Sequence, residues 1–279
     1  MSAESEIQAG NRFRFGANWT RFLTIVDEAR IAAAEASLKQ MLGISSLQGR
    51  RFLDIGCGSG LFSLAARRLG ADVYSFDFDP QSVACARELR RRYFPEDGRW
   101  RVEEGSVLDK QYIDGLGQFD VVYSWGVLHH TGSMWVAIEH AISRVASPAG
   151  TLFIAIYNDQ GWKSRVWWFV KFLHNHAPRF LRWPYVYLVT GVTLLLVTLK
   201  RIIKLQPLGV IARLYKTPSR GMSVKYDMYD WIGGFPYEFA TFDTLAAYLE
   251  ARGFTVQNAW QCTDLGCHEL VFQRIPCAD

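Results

Sequence analysis

Residues 52–60 read Phe-Leu-Asp-Ile-Gly-Cys-Gly-Ser-Gly, a short apolar run that ends in a carboxylate and three alternating glycines. The run predicts a buried strand, and the apolar residues at helical spacing that follow from Leu61 predict a helix. A strand-to-helix turn of this kind presents backbone N–H groups and a helix N-terminus to an anionic group. Glycine lets the backbone approach a ligand without a Cβ in the way. The stretch therefore predicts a ligand-binding turn, with a tight turn that binds nothing as the alternative.

The spacing of these glycines differs from the dinucleotide-binding pattern. That pattern is G-x-G-x-x-G, whereas the third glycine here comes one residue earlier. Asp54 also argues against a nicotinamide cofactor, because a carboxylate beside a pyrophosphate would repel it. The same carboxylate suits a ligand that carries an amine. A nicotinamide oxidoreductase is therefore disfavoured.

A second acidic residue, Asp77, follows the next predicted strand, about 20 residues after the glycines, where a carboxylate can accept from both hydroxyls of a ribose. Asp79 is placed to cap the helix that begins at Pro80, because its side chain can accept from the first free N–H groups of that helix. Asp77 is therefore the predicted ribose ligand. Phe78 is predicted to lie against a purine, with core packing as the alternative.

Strands and helices alternate along most of the chain. We predict strands at 51–55, 72–76, 100–104, 119–124, 151–157, 254–261 and 268–273, and helices at 27–42, 61–69, 80–93, 133–146 and 242–252. This order predicts an α/β fold with a parallel sheet of seven strands. The last two strands are too close in sequence for a parallel crossover, so the final strand is predicted to be reversed.

Four segments follow from this pattern. They are an N-terminal helical cap at 1–50, a Rossmann-like cofactor-binding core at 51–157, a large helical insertion after the fifth strand at 158–240, and a helix with two strands at 241–279 that completes the core.

The motifs and the reversed strand resemble the class I S-adenosylmethionine-dependent methyltransferases, over 51–157 clearly and over 241–274 by architecture. The resemblance implies S-adenosyl-L-methionine as cofactor, with the glycine loop at its methionine end, Asp77 at its ribose and residues 105–109 along its adenine. Many members have Asp where this chain has Ser106, so adenine recognition is expected to fall to Ser106, Asp109 or a backbone carbonyl. The predicted cofactor-binding residues are Asp54, Gly56, Cys57, Gly58, Gly60, Asp77, Phe78, Ser106, Val107, Asp109 and Ser124.

The fourth strand leads into Leu128-His129-His130, which is similar to the small-molecule members of the family, including quinone-modifying enzymes. The motif typical of enzymes that methylate exocyclic amines of nucleic acids is missing, so nucleic acid is a disfavoured substrate. An oxygen acceptor must lose a proton, and histidine is the usual base at neutral pH. His129 and His130 are the catalytic candidates, with a backbone hydrogen bond as the alternative role of each. The predicted substrate-binding residues are Trp125, Tyr157, Asn158, Tyr237 and Glu238.

The insertion is aromatic, basic and apolar at once. No Asp or Glu occurs between Gln160 and Tyr226, whereas Lys and Arg recur, and the run 185–199 is uncharged. These features are compatible with a helix buried in a substrate lid or with contact to an anionic membrane surface. One membrane crossing is excluded by topology, because the strands on both sides of the insertion join the same sheet.

Composition bounds the remaining alternatives. The chain has 279 residues, is 49% apolar and 21% charged, and carries a formal net charge of +4, which is typical of a folded globular protein. The odd count of five cysteines and the polar start predict a cytoplasmic protein, with membrane association left open, and no metal site is predicted.

The sequence thus predicts O- or N-methylation of a small apolar or aromatic acceptor, either lipid-linked or quinone-like. Two alternatives stay open. One is an enzyme of the same fold that catalyses a different transfer on a quinone-like or lipid substrate. The other is a non-catalytic protein that binds S-adenosylmethionine.

Overall fold

The computed structural model describes residues 3–203, 229 and 231–276, and its centre is one seven-stranded sheet. The strands are β1 (Arg51–Ile55), β2 (Asp72–Asp77), β3 (Trp100–Glu104), β4 (Val121–Trp125), β5 (Thr151–Tyr157), β6 (Phe254–Trp260) and β7 (Cys267–Arg274). Their order is β3-β2-β1-β4-β5-β7-β6. The first five strands pair in parallel, and β7 lies antiparallel between β5 and β6. The predicted sheet with a reversed last strand is confirmed.

Helices cover both faces of this sheet. In chain order the labelled helices are α1 (Ala3–Gln8), α2 (Gly16–Phe22), α3 (Glu28–Leu42), α4 (Leu61–Arg68), α5 (Pro80–Tyr93), α6 (Lys110–Asp114), α7 (Met134–Ser143), α8 (Trp162–His176), α9 (Arg179–Ile203) and α10 (Phe242–Glu250). Residues of α3, α4 and α5 form one hydrophobic core with the sheet, and residues of α6, α7 and α10 form a second core on the opposite face. The predicted segment 1–50 thus contributes α3 directly to a core layer.

Local sequence explains where several helices begin. The side chain of Asp27 accepts from the backbone N–H of Arg30 at 2.9 Å and caps α3. Asp79 accepts from the N–H of Gln81 at 2.8 Å and caps α5, as the sequence predicted. Each cap satisfies one of the N–H groups that a helix leaves without a partner in its first turn.

The predicted boundaries are wrong by a few residues at some elements. Strand β4 begins at Val121, because Phe119 instead forms an isolated bridge with Val145. Helix α7 ends at Ser143, since the N–H of Ala146 turns to the carbonyl of Phe119. Three short helices, α1, α2 and α6, were not predicted, because their few residues show too little periodicity.

The two ends of the insertion lie side by side. Asn158 and Ala240 form a bridge, and the N–H of Ala240 donates to the carbonyl of Tyr157. Helices α8 and α9 lie between these points and contact each other. The chain therefore leaves the sheet at the end of β5 and returns to the same place before α10.

Candidate active site

A cavity of about 600 Å³ lies at the carboxyl edge of the parallel strands. Open α/β sheets bind ligands at this edge, where neighbouring crossovers leave on opposite faces. Its wall combines strand ends of the core, the N-terminal segment and Trp231 from the end of the insertion. The sheet and two chain segments far apart in sequence thus enclose one chamber.

Asp54 is a buried carboxylate on the wall of this cavity. It lies in β1 and accepts a hydrogen bond from the hydroxyl of Ser63 at 2.5 Å. Burial raises its pKa to about 7, and the negative charge of Asp77 adds to the rise. A cationic group placed in the cavity would stabilise the ionised form of Asp54.

Asp77 ends β2 and faces the same cavity. Its carboxylate accepts from the N–H of Gly58 and from the N–H of Asp79, each at 2.9 Å. Burial raises its pKa to about 6 despite these two hydrogen bonds. Each carboxylate oxygen has a second lone pair, so Asp77 can still accept from hydroxyl groups of a ligand.

The glycine loop is shaped by positive backbone angles. Gly56 and Gly58 have φ values of +75° and +55°, which L-residues with side chains rarely adopt. A Cβ on Gly56 would lie 2.4 Å from Cγ1 of Val127, so the turn after β1 and the turn after β4 touch at this point. Gly60 begins α4 and packs against Ala86, outside the cavity wall.

The N-terminal segment covers the cofactor side of the cavity. The N–H of Gly16 donates to the carboxylate of Asp79 at 2.9 Å. The guanidinium of Arg12 lies 4.7 Å from the centre of the Phe78 ring, and the ring of Trp19 lies against Gly58. The sequence analysis missed this role, which the cluster of aromatic residues at 13–22 could have suggested.

The predicted adenine-side residues divide into two groups. Phe78, Ser106 and Val107 line the cavity. Asp109 instead accepts from the N–H of Tyr112 at 3.1 Å and caps α6. Ser124 is fully buried and donates to the carbonyl of Ile55.

The two histidines after β4 differ in position. His130 is part of the cavity wall, and its Nδ1 lies 2.5 Å from the carbonyl oxygen of Pro236. A carbonyl oxygen only accepts, so Nδ1 carries the proton and Nε2 carries the lone pair. Burial is the main reason that the pKa of His130 falls to about 3, so its ring is neutral near pH 7.

His129 is fully buried and does not line the cavity. Its Nδ1 accepts from the backbone N–H of Tyr157 at 3.3 Å, and burial lowers its pKa far below the usual range. The geometry therefore favours His130 as the histidine that meets an acceptor.

Among the predicted substrate residues, Trp125 and Tyr157 line the cavity. The other three have structural contacts. The amide of Asn158 donates to the carbonyl of Cys262 at 3.0 Å, and the carboxylate of Glu238 accepts from the N–H of Met134 at the start of α7. Tyr237 is buried behind the wall, with its ring 5.0 Å from that of Tyr157.

The insertion places a buried lysine behind this part of the wall. Lys171 in α8 is fully buried, and its ammonium donates to the carbonyl of Trp231. The same ammonium lies 4.4 Å from the ring centre of Trp231 and 4.8 Å from that of Tyr237, a cation–π arrangement. Its positive charge helps to lower the pKa of His130. The sequence analysis missed Lys171, although the polar residues at helical spacing in α8 are a signal for a buried polar face.

A comparison with known families decides the identity of the fold. A family model described as a methyltransferase domain matches residues 26–259, well over half of the chain.

The chain belongs to this methyltransferase family. The predicted membership of the class I S-adenosylmethionine-dependent enzymes and the predicted cofactor are thereby confirmed.

Similar proteins agree with the assignment over parts of their length. The methyltransferase is 38% identical over 113 residues to the ubiquinone biosynthesis O-methyltransferase of Xanthomonas campestris pv. campestris, covering 40% of this chain and 45% of that protein. It is 27% identical over 158 residues to the protein of the same name from Methylococcus capsulatus, covering 56% of this chain and 65% of that protein. The chain thus matches less than two thirds of the length of either relative.

Among solved structures, magnesium protoporphyrin IX methyltransferase from Synechocystis PCC 6803 with bound SAH superposes with a TM-score of 0.50. The identity is 17%, and the match covers 88% of this chain and 81% of that chain. At this level of identity the likeness concerns the fold.

The cavity of the methyltransferase fits the chemistry of S-adenosylmethionine. Asp54 offers a carboxylate to an amine, and Asp77 offers lone pairs to ribose hydroxyls. Ser106, Val107 and the apolar Phe78, which the resemblance places along the adenine, line the same cavity. The residues that line the cavity therefore agree with the amine, the ribose and the adenine base of this cofactor.

Proposed function

We propose that this methyltransferase methylates an oxygen atom of a small aromatic acceptor and that His130 accepts the proton. The observation that supports this proposal is the shared cavity. His130, whose Nε2 carries a lone pair, lines the same chamber as Asp54 and Asp77. The base and the cofactor-binding carboxylates therefore face one reaction space.

Each residue has a defined task in this proposal. Bound S-adenosylmethionine supplies a methyl group on a positively charged sulfur. Asp54 and Asp77 fix the position of the amine and the sugar, and positioning supplies much of the rate of an in-line transfer. The hydrogen bond from Nδ1 of His130 to Pro236 fixes the orientation of the ring.

The neutral state of the His130 ring suits this role. A neutral imidazole is ready to accept a proton across the physiological range. The acceptor hydroxyl becomes strongly acidic as its oxygen gains the methyl group, so even a weak base can take its proton at Nε2. The proton thus moves from the acceptor oxygen to His130 late in the transfer.

The wall of the cavity favours an aromatic acceptor. Its aromatic lining side chains include Phe15, Trp19, Phe62, Tyr123, Trp125, Tyr157 and Trp260. Flat rings pack against such walls with favourable stacked or edge-on contacts. Two relatives are named for ubiquinone biosynthesis, which supports a quinone-like ring, free or lipid-linked.

We further propose that the insertion docks the enzyme on an anionic membrane surface from the cytoplasm. Helix α8 supports this, because its buried residues are polar and include Ser164, Lys171 and His174. Its apolar residues Trp162 and Phe169 are instead exposed on the outer side. Helix α8 thus buries polar residues and exposes apolar ones, the opposite of a water-facing helix in a globular protein.

Helix α9 continues the same surface. Its segment Arg179–Lys200 has 22 residues, a mean hydropathy of 1.5 and only 6% of its apolar window buried; within the described part of the chain it is the one helix long and apolar enough to cross a membrane. Both ends of the insertion meet beside β5, so contact along the surface agrees better with the topology than one crossing. Basic residues near the ends of α9 suit anionic lipid headgroups.

The decisive experiment supplies methyl-labelled S-adenosylmethionine to the enzyme together with soluble and lipid fractions of a cell extract. We expect S-adenosylhomocysteine as product and label on an aromatic compound, with far less label from His130→Ala. Turnover without methyl transfer would favour another reaction class. Cofactor binding without turnover in any fraction would favour a non-catalytic role.

A further inference from the structure

Four residues form one row across the strands on the acceptor side of the cavity. Trp125 pairs with Ala155, Ala155 pairs with Glu269, and Glu269 pairs with Trp260. Paired residues of neighbouring strands project from the same face of a sheet. Trp125, Glu269 and Trp260 all line the cavity. Within this row, the carboxylate of Glu269 therefore lies between two indole rings that face the same cavity.

A glutamate is an unusual residue at this buried position of β7. Glu269 is only 9% exposed and stands in β7 directly before the buried apolar run Leu270–Phe272. Ala155, which stands between Trp125 and Glu269 in the row, is fully buried and does not line the cavity.

The distance from the cofactor residues separates this carboxylate from cofactor binding. Strands β1, β4, β5 and β7 lie in sequence across the sheet. At about 4.8 Å between neighbouring strands, Glu269 lies roughly 14 Å across the sheet from Asp54. Asp54 and Asp77 thus serve one end of the cavity, and Glu269 stands at the other.

We propose that Glu269 determines acceptor specificity by accepting a hydrogen bond from a second donor group, a hydroxyl or an amine, on the aromatic acceptor. This inference rests on the proposed methyl transfer and names the acceptor class more closely. One ring oxygen meets His130 and the methyl group. The second donor meets Glu269, while Trp125 and Trp260 flank the ring.

The test compares two probes that differ by one hydroxyl group, a para-alkyl catechol and the matching para-alkyl phenol. For each probe we measure kcat/KM at saturating S-adenosylmethionine. Wild type should prefer the catechol. Glu269→Gln should reduce this preference by roughly tenfold to a hundredfold, the usual effect of weakening a hydrogen bond to a buried charged group. Calorimetry with S-adenosylhomocysteine should give the same affinity for both proteins.

Glu250→Gln makes the same chemical change on the exposed surface of α10 and should leave the preference unchanged. An active Glu269→Gln protein with the wild-type preference would overturn the role of Glu269 and leave the proposed methyl transfer standing. Wild type that methylates neither probe would overturn the proposed aromatic hydroxyl acceptor and this inference with it. Loss of S-adenosylhomocysteine binding in Glu269→Gln would assign Glu269 to the cofactor or to folding and so reject its role in specificity.

Discussion

At the scale of single residues, Asp54 and Asp77 are placed where their charge is costly without a ligand. Burial raises the pKa of Asp54 to about 7 and that of Asp77 to about 6. A cationic amine beside Asp54 and hydroxyl groups beside Asp77 would stabilise the ionised carboxylates. The spacing along the sequence predicted both residues, because each ends a strand of the same parallel sheet.

Cofactor affinity should therefore depend on pH. An ammonium group binds the ionised form of Asp54, and the ionised fraction rises with pH through the pKa of about 7. The affinity for S-adenosylhomocysteine should increase about tenfold from about pH 6 to about pH 8, measured by calorimetry. Asp54→Asn should bind more weakly and lose most of this dependence, whereas Asp72→Asn, on the exposed start of β2, should retain it. An unchanged pH profile in Asp54→Asn would contradict the assignment.

Substitutions of His130 and of His129 should have different effects. His130→Ala should lower kcat roughly a hundredfold to ten-thousandfold, the range for loss of a general base, with cofactor affinity retained. Because the pKa of His130 is about 3, wild-type kcat at saturating cofactor should show no loss of this base as pH falls from about 8 to about 5. His129→Asn should mainly lower the melting temperature, since His129 is buried behind the wall. A larger kcat loss in His129→Asn than in His130→Ala would reverse the roles.

Gly56 should be the least replaceable glycine of the loop for a reason separate from ligand binding. Gly56→Ala combines a positive φ with a Cβ only 2.4 Å from Val127. Gly43→Ala is the matched control, because its φ is +66° and nothing lies within 4 Å of its Cβ. Gly43→Ala should lower the free energy of unfolding by about 1–2 kcal/mol. In a denaturant titration, Gly56→Ala should lower the free energy of unfolding by about 1–3 kcal/mol more than the control, because its Cβ overpacks against Val127. Equal losses of unfolding free energy in the two variants would show that the Val127 side chain moves away from the new Cβ without cost.

At the scale of elements, α8 and α9 depart from the pattern of the helices that cover the sheet. Helices α4 and α5 bury apolar residues such as Leu64 and Leu89 against the sheet. Helix α8 buries polar residues, and α9 leaves most of its apolar residues exposed. The composition of the insertion left a buried lid helix and a membrane contact open. Only the packing assigns the polar side of α8 to the protein interior.

Replacement of exposed leucines in α9 should test the proposed contact of the insertion with a membrane. The triple variant Leu188→Gln, Leu195→Gln and Leu196→Gln changes exposed residues of α9. Each leucine that no longer enters lipid forfeits about 1 kcal/mol of the usual burial free energy, so co-sedimentation with phosphatidylglycerol-containing vesicles should weaken by roughly a hundredfold. Ile25→Gln, Val136→Gln and Ile275→Gln together form the control, because these exposed apolar residues lie outside the insertion. Wild-type binding that is equal on vesicles with and without anionic lipid would reject the electrostatic part.

At the scale of the whole molecule, the reaction chamber is assembled from three distant parts of the chain. The sheet supplies the carboxylates, the N-terminal segment covers the glycine loop through Trp19, and Trp231 closes the wall from the insertion. The N–H of Phe13 also donates to the carbonyl of Phe235, which joins the two covering segments directly.

The sequence alone determined the sheet, its reversed last strand and the placement of Asp54 and Asp77 at the carboxyl edge of that sheet. These features depend on periodicity and on short spacings, which a strand or a helix turns into geometry with few alternatives. The side chains of Asp109, Ser124 and Glu238 instead form hydrogen bonds with backbone groups of helices or strands, which their motifs did not reveal. Only the tertiary structure placed His130, and not His129, on the cavity wall, turned the polar side of α8 inward and aligned Glu269 with Trp125. Those outcomes depend on the register between strands and on packing between segments far apart in the chain, which no local pattern contains.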